Sequence, residues 1–389
     1  MVINAKELRQ KYQLLGPKET CRRLTEALQE GHLKPSDFSL RDMAEELVPD
    51  GREWVRTLDP RYGVSVMENT GAVDTTTFSN ITGQLLINSV LEAYNNPAYS
   101  ISALFPRVST RLSGERIPGI GQIGDKAESV KEGMPFPSVG LGEDYIDTPV
   151  TDKKGLIIPV TKEAIFFDRT GLLLERAQEV GDSLRLNEEK QCVDVLIGAT
   201  NNYKWKGTSY NTYQGSTPWV NLLSGAVYDL VDWTDVDEAE QLFANMLDPN
   251  TSEPIAIMAP TLVATPARKH AVNRILNATE IRYTGSGLPT ETLAGNPISG
   301  ITGITNPWVY SRLQSQLSVS ATNSKATWFL GDFAKAFAIM ENWPITVVQA
   351  PQNSEAEFSQ DIVARFKASS RNVAIAKNPR YVVKVSGHA

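Results

Sequence analysis

The sequence has few of the residues that bind metal ions or form disulfides. It contains two cysteines, Cys21 and Cys192, and three histidines, His32, His270 and His388. Two cysteines so far apart in the chain cannot build a disulfide framework or a zinc site, and three histidines supply little nitrogen ligation. We therefore expect no metal ion and no cofactor, and a chain that folds in the cytosol.

Long apolar runs and basic clusters are also missing. No stretch approaches eighteen apolar residues, and the first residues lack the apolar centre of a signal peptide, so we expect neither secretion nor contact with a membrane. Asp and Glu number 45 against 38 Lys and Arg, which gives a formal charge of −7. This balance argues against a surface built to neutralise a phosphate backbone.

Motifs of catalytic sites are scarce. The sequence has no phosphate-binding P-loop, no serine nucleophile elbow and no helix with paired histidines. Gly119, Gly121 and Gly124 fit the pattern G-x-G-x-x-G, but Pro118 precedes them and a polar segment follows. A dinucleotide site needs a strand before and an apolar helix after the glycines, so a flexible loop tip is the better interpretation. We expect a protein that is not an enzyme.

The most regular segment is a predicted helix over residues 172–197. It contains no proline, and Leu173, Ala177 and Leu184 recur at the spacing that lines one face of a helix. The apolar stripe fades over residues 185–191, where the helix is polar nearly all round. A helix roughly 40 Å long with such a middle is expected along a surface.

A glycine-rich segment at residues 107–159 precedes this helix. Its composition predicts a long hairpin with arms at 108–118 and 145–159, and with Met134 and Phe136 near its tip. A loop so long with so little apolar content cannot bury itself. Such loops are usually functional or are ordered by partners.

The N-terminal residues 1–48 read as short helices with narrow apolar stripes, for example Leu24 and Leu28. They offer too little core to stand alone, so we expect them to dock on the same subunit or on another. Of these we favour a neighbouring subunit, or the inner wall of an assembly of such subunits.

Residues 222–350 read as a separate α/β module. The pattern predicts a helix capped by Thr234, a strand at 255–259, and further strands near Trp308, Leu317 and Trp328.

The C-terminal segment 358–385 alternates apolar and polar residues, which is typical of strands with one buried face. We expect it to return to the long helix and pair beside it.

Three short segments and the order of the parts carry a resemblance to a known family. The segments are IPVTKEAI at 158–165, DIVARFKA at 361–368 and, more weakly, PTLVATP at 260–266. With the helical arm, the long hairpin, the long helix, the α/β module and the returning strands, the sequence resembles the major capsid protein of tailed bacteriophages, the Hong Kong 97-type fold.

The resemblance implies an α+β fold with an N-terminal helical arm, an extended β-hairpin loop, a long spine helix, a peripheral domain and an axial domain. The implied division is a helical arm at 1–106, the extended loop at 107–159, the peripheral domain with the spine helix at 160–221, the axial domain at 222–350, and the returning strands of the peripheral domain at 351–389.

The resemblance also implies a function. A protein of this kind is made in the bacterial host cytoplasm and assembles as pentamers and hexamers into the icosahedral shell of the virion. The shell encloses double-stranded DNA without reading its sequence, and its partners are portal, scaffold and decoration proteins. An encapsulin-like shell around protein cargo is an alternative, and a soluble α/β enzyme with a glycine-rich lid is another from a different class.

The contacts between subunits are expected in two places, the tip of the hairpin and the charged faces of the spine helix. The candidate residues are Gly119, Gly121, Gly124, Met134, Phe136, Arg176, Glu179, Arg185 and Glu189.

Overall fold

A computed structural model of the chain describes residues 10–11, 13–30, 32, 34, 38–47, 52, 55, 72–119, 130, 144–167, 169–200, 203–225, 228–249, 251–283, 292–296, 298, 300–350 and 362–386. The helices in this part are α1 Pro17–Gln29, α2 Leu40–Leu47, α3 Ala72–Tyr94, α4 Ile101–Leu104, α5 Lys162–Phe166, α6 Thr170–Ile197, α7 Trp233–Ala244, α8 Lys269–Asn277, α9 Pro307–Leu317, α10 Ala321–Ala326 and α11 Phe333–Ala336. Short 3₁₀ turns lie at Pro266–Arg268 and Pro379–Tyr381.

The described residues also form fifteen strands. They are β1 Arg107–Ser109, β2 Arg116–Pro118, β3 Tyr145–Asp147, β4 Asp152–Thr161, β5 Tyr203–Trp205, β6 Thr208–Tyr210, β7 Leu222–Ser224, β8 Thr261–Ala264, β9 Glu280–Tyr283, β10 Thr292–Gly295, β11 Thr302–Thr305, β12 Thr327–Gly331, β13 Phe337–Gln349, β14 Ile362–Ala376 and β15 Val382–Ser386.

The chain forms two compact units, each made of three stretches of sequence. Unit 1 consists of residues 1–98, 153–187 and 343–371, and unit 2 of residues 99–152, 188–342 and 372–389. Each unit has its own apolar core. Helix and strand content is mixed throughout, so the predicted α+β class is confirmed.

In unit 1, the helices α1 and α2 pack on α3 of the same chain. Leu24 of α1 and Met43 and Ala44 of α2 are buried in one cluster with Leu85 of α3. The expectation that this arm docks its apolar stripes on a neighbouring subunit is therefore wrong for α1 and α2.

The docked arm leads to a prediction about stability. We expect Met43→Ala to lower the free energy of unfolding by about 2 to 4 kcal/mol, because the side chain is 2% exposed and its removal leaves a cavity. Leu14, which is 83% exposed, provides the control, and Leu14→Ala should change the free energy of unfolding by less than about 0.5 kcal/mol. Urea titration followed by circular dichroism measures both. Equal effects of the two variants would contradict the docking of α2.

Helices α3 and α6 lie unusually close together where Gly181 faces Val90. A Cβ atom at position 181 would collide with the Val90 carbonyl oxygen and would touch Ala93 Cβ at 3.0 Å. A glycine in the middle of a helix costs about 1 kcal/mol relative to alanine. The close approach of the two backbones explains why this cost is tolerated at Gly181.

Unit 2 is organised around a five-stranded sheet with the order β11-β8-β12-β15-β7. Strand β12 is antiparallel to both β8 and β15, with Phe329 opposite Val263 and Lys384. Strand β15 therefore lies inside this sheet, where Val383 and Val385 are buried. The expectation that the whole tail pairs beside the long helix is wrong for this strand, because residues 382–386 are buried on both faces, as a central strand requires.

Three details of the predicted α/β module are also corrected. Residues 255–259 form no regular strand, and Met258 is 82% exposed; the strand is β8, which follows them. Trp308 and Leu317 belong to the helix α9 and not to strands. Helix α7 is capped by Asp232 in a capping box with Asp235, two residues before the predicted cap, Thr234.

The start of α9 shows the physical reason for one of these errors. The Asn306 side chain accepts a hydrogen bond from the backbone nitrogen of Trp308 at 2.8 Å, and Pro307 occupies the first turn. Asn followed by Pro is a helix-start signal that outweighs the strand preference of the aromatic residue. Val309 and Leu313 then face the core four residues apart.

Candidate assembly surfaces

The root of the predicted hairpin is a short antiparallel ladder between β2 and β3. Ile117 lies opposite Ile146, and the Gly119 nitrogen donates to the Asp144 carbonyl oxygen at 2.8 Å, which extends the ladder by one pair. A Cβ atom at Gly119 would collide with the Asp144 carboxylate, so a larger residue there would displace this side chain. Gly121, Gly124, Met134 and Phe136 lie outside the described residues.

The predicted arms are longer than the ladder that forms. In the described part, β2 and β3 pair over three residues each. The start of the first arm, β1, runs parallel to β13 instead, with Val108 opposite Met340. The end of the second arm, β4, neighbours β14. The glycine-rich composition predicted a turn. It did not show that the outer part of each arm pairs with a strand from a distant part of the chain, β1 with β13 and β4 with β14.

A second hairpin, β5–β6, holds this root in place. The four strands form one antiparallel sheet with the order β2-β3-β5-β6. The Trp205 indole nitrogen donates to the Asp144 carboxylate, and Ile146 is buried in the core of unit 2. Arg116 lies 4.6 Å from the centre of the Tyr145 ring. The β2–β3 ladder is therefore held in place up to residue 119.

Beside this sheet, the side chain of Arg380 is buried among aromatic rings. Its guanidinium carbon lies 4.8 Å from the centre of the Trp219 ring and 5.7 Å from that of Trp205. Cation–π contacts of this kind contribute about 2 kcal/mol when desolvated, whereas removing one ion from water costs several kcal/mol. The cation–π contacts alone therefore do not offset the free-energy cost of burying the Arg380 charge.

The neighbouring Tyr203 hydroxyl stays protonated at neutral pH. Burial raises the pKa of Tyr203 to about 12, although the Arg380 guanidinium opposes this effect. The hydroxyl is therefore available as a hydrogen-bond donor.

A groove of about 340 Å³ lies in unit 1 between β4 and the first half of α6. Its lining combines apolar side chains with charged groups of both signs. The lining residues are Ile157, Ile158, Pro159, Thr161, Glu163, Arg169, Leu172, Leu173, Arg176, Glu179 and Val180. Ile157 is 60% and Leu172 44% exposed. Arg176 and Glu179, two of the predicted contact residues, are thus exposed at one groove.

The other two predicted helix residues differ in exposure. Arg185 is half-buried, with its guanidinium carbon 5.4 Å from the centre of the Tyr94 ring. Glu189 is 0% exposed. Its carboxylate accepts hydrogen bonds from the backbone nitrogens of Ile101 and Ser102 at 2.9 and 2.8 Å and from Asn306 Nδ2 at 2.7 Å. Glu189 is therefore no longer among the contact residues that we propose.

Glu188 is also buried, in contrast to the expected polar middle of the helix. It pairs with Arg107 of β1, accepts a hydrogen bond from Asn372 Nδ2 at 2.9 Å, and shares Arg107 with Glu341 of β13. Sequence analysis missed these two glutamates. The repeat of Leu184 continues through Glu188 to Cys192 at four-residue spacing, and this was the signal that one of them faces the core.

The C-terminal end of α6 is closed by groups from distant parts of the chain. Gly198 has φ of 80°, and the Ala199 nitrogen donates to the Asp194 carbonyl oxygen at 2.9 Å. The Tyr213 hydroxyl donates to Leu196 O, and Lys384 Nζ donates to Ile197 O at 3.0 Å. These bonds satisfy carbonyl groups that a helix end leaves unpaired.

Lys384 leads to a prediction about pH. Burial lowers its pKa from the ordinary 10.5 to about 8. Below pH 8 both the folded and the unfolded chain hold this proton, while between pH 8 and 10.5 only the unfolded chain keeps it. We therefore expect the Lys384 contribution to the free energy of unfolding to rise by about 3 kcal/mol across this range.

Urea titrations at several pH values test the expected rise. Lys384→Met should lack it, whereas Lys335→Met, at a lysine whose side chain is 58% exposed, should keep it. A rise of the same size in Lys384→Met would mean that another group is responsible.

The described residues contain no group of three or more His, Cys, Asp or Glu side chains that could hold a metal ion. Among the same residues, no helix is long and apolar enough to cross a membrane.

Comparison with known families now adds to the geometry. Residues 146–385 match the phage capsid protein family, and since this is more than half of the chain, the chain belongs to that family. The predicted recognition as a phage capsid protein is thereby confirmed, and the helices and strands of the structure agree with the predicted α+β class. The protein is a structural component of the virion. A search of curated proteins gives no match.

Several solved structures are similar at low identity. The structure titled Mycobacterium phage Bobi is 16% identical, covers 77% of this chain and 89% of its own, and has a TM-score of 0.37. The capsid of Cyanophage P-SCSP1u is 12% identical, with 73% and 86% covered and a TM-score of 0.42. The holo-SrpI encapsulin complex from Synechococcus elongatus PCC 7942 is 13% identical, with 75% and 88% covered and a TM-score of 0.41. These similarities are too weak to assign a cargo.

Proposed function

We propose that this chain is the major capsid protein of a tailed phage and assembles into a closed icosahedral shell around double-stranded DNA. The observation that carries the proposal is the match of residues 146–385 to the phage capsid protein family. The acidic balance of the sequence supports DNA as cargo, because a wall that attracted DNA strongly would hold the packaged genome against itself. Portal, scaffold and decoration proteins are the further partners that we propose.

The division into parts that the resemblance implies is retained in this proposal except for β15. Residues 160–221 and 351–381 serve as the peripheral domain. Residues 222–350 serve, together with β15 of the same sheet, as the axial domain around the centres of pentamers and hexamers. Contacts within such rings are heterologous, and the rotation between subunits must close the ring.

The proposed contact joins the hairpin tip of one subunit to the groove beside α6 of another. The tip sequence carries two large apolar side chains, Met134 and Phe136, among charges of both signs. The groove offers the matching chemistry, because its lining combines apolar side chains with the charged groups of Arg176 and Glu179. Arg185, Gly121 and Gly124 complete the proposed contact set, and Gly119 lies at the end of the β2–β3 ladder, where the loop begins.

Electron microscopy of the purified full chain, alone and with a scaffold partner, tests the proposal. We expect closed particles of uniform size, and double-stranded DNA inside particles that are isolated from the phage-producing host. Particles filled with protein would indicate an encapsulin-like container instead. A compact monomer at every salt and protein concentration would contradict shell assembly and would favour the enzyme alternative.

A further inference from the structure

The side chains around Arg380 include five buried polar atoms without a hydrogen-bond partner in the described part of the chain. The atoms are Arg380 Nε and Nη1, Trp219 Nε1, Tyr203 Oη and Asn378 Nδ2. Their side chains are closed off from solvent, since the exposed fractions are 2% for Arg380, 4% for Trp219, 0% for Tyr203 and 1% for Asn378. Buried polar atoms are rarely left unpaired, and five of them in neighbouring side chains require an explanation.

The side chains of Arg380, Trp219 and Tyr203 form one cluster, and Asn378 is joined to it through the backbone of Arg380. The Arg380 guanidinium carbon lies 4.8 Å from the centre of the Trp219 ring, which stands edge-on to the Tyr203 ring at 5.5 Å between centroids. Asn378 Oδ1 accepts a hydrogen bond from the Arg380 backbone nitrogen at 3.1 Å. The amide nitrogen of Asn378 is left as its free donor.

The unpaired polar atoms of the cluster are mainly hydrogen-bond donors. The nitrogens of arginine, tryptophan and asparagine side chains donate hydrogen bonds and cannot accept them, and the protonated Tyr203 hydroxyl can donate as well. The structure gives Arg380 no carboxylate partner among the described residues, and the Asp144 carboxylate nearby accepts from Trp205. A water molecule among these groups would find at most one acceptor for its own two hydrogens, the Tyr203 hydroxyl oxygen, so at least one hydrogen would stay unpaired. An anion only accepts, and it also balances the buried charge.

We propose that Arg380, Trp219, Tyr203 and Asn378 form a binding site for a small monovalent anion of the size of chloride. The site joins the turn before β15 to the sheet at the hairpin root, since Tyr203 begins β5 and Trp205 of the same strand holds Asp144. Occupancy of the site stabilises unit 2 and the starting point of the loop. This inference does not depend on shell assembly and can be tested on the unassembled chain.

Thermal unfolding of the full chain in different sodium salts tests the site. Sodium chloride and bromide are compared with sodium gluconate, whose anion is too large to enter, at equal ionic strength so that surface screening is the same. We expect the unfolding midpoint of the wild type to rise by a few degrees in the halides and to increase with the logarithm of halide concentration. The same midpoint in all three salts at every concentration would overturn the proposal and leave water as the partner of these donors.

Variants identify the residues that hold the anion. Arg380→Met is expected to lose the halide dependence, and Trp219→Phe, which keeps a ring but removes one donor, is expected to weaken it several-fold. Arg371→Met is the matched control, because Arg371 also lies over a tryptophan, with 5.6 Å to the centre of the Trp343 ring; it should keep the full dependence. If Arg380→Met does not fold, Tyr203→Phe and Trp219→Phe decide the question. A halide effect that both of these retain in full would refute this location.

Discussion

Replacing residues 122–137 by Asn-Gly is expected to abolish particle assembly and to leave the unfolding midpoint of the free subunit almost unchanged. The replaced residues are rich in glycine and proline and poor in large apolar groups. Ordering them costs about 1 to 2 kcal/mol per residue in backbone entropy, with little apolar burial of their own to offset it. The β2–β3 ladder and the Gly119–Asp144 bond lie outside the replaced stretch, so the short turn can still join the two strands.

Size-exclusion chromatography and electron microscopy measure the loss of assembly, and calorimetry measures the midpoint. A substitution in the groove tests the same contact independently. We expect Leu172→Lys to weaken assembly as well. Met258→Lys is its control, because Met258 is a still more exposed apolar residue of unit 2 and is not part of the groove. Normal particles from the shortened chain would remove the hairpin tip from the contact between subunits.

Glu189→Leu is expected to lower the free energy of unfolding by about 3 to 5 kcal/mol, which is a large part of the stability of an ordinary domain. Three donors lose their acceptor at once, namely the backbone nitrogens of Ile101 and Ser102 and the Asn306 side chain. Buried donors that are left unpaired cost about 1 to 3 kcal/mol each. Glu189→Gln should lower the free energy of unfolding by less than Glu189→Leu does, because the amide oxygen of glutamine can still accept a hydrogen bond while its nitrogen is a donor.

Urea titration of these variants should be compared with Glu179→Ala, a glutamate on the exposed side of the same helix. We expect that variant to change stability by less than about 0.5 kcal/mol. If Glu189→Leu were as stable as Glu179→Ala, the carboxylate would not hold α4 and the start of α9, and the role that we assign to it would be wrong.

Local sequence patterns were sufficient for parts of the fold. The periodicity of Leu173, Ala177 and Leu184 predicted the long helix α6, and all three residues are buried in unit 1. This pattern depends on residues within a few turns of one another, which a single sequence displays directly.

Features that depend on distant residues were missed. Glu189 looked like a surface charge because its partners, Ile101 and Asn306, lie 88 and 117 positions away. Strand β15 was assigned beside the helix because its pattern shows that it is buried but does not show between which strands. The donors around Arg380 are also scattered over more than 150 residues of sequence, and no spacing rule brings them together.

The position of β15 has a consequence for the synthesis of the protein. The ribosome makes β7, β8, β11 and β12 first, and the strand that lies between β12 and β7 follows them all. A chain interrupted before residue 382 would carry two strands with open edges and would lack the core side chains Val383 and Val385. Such a chain cannot complete the module from which rings would be built. We therefore expect truncated products to be excluded from the shell, because only a fully translated chain can complete this sheet.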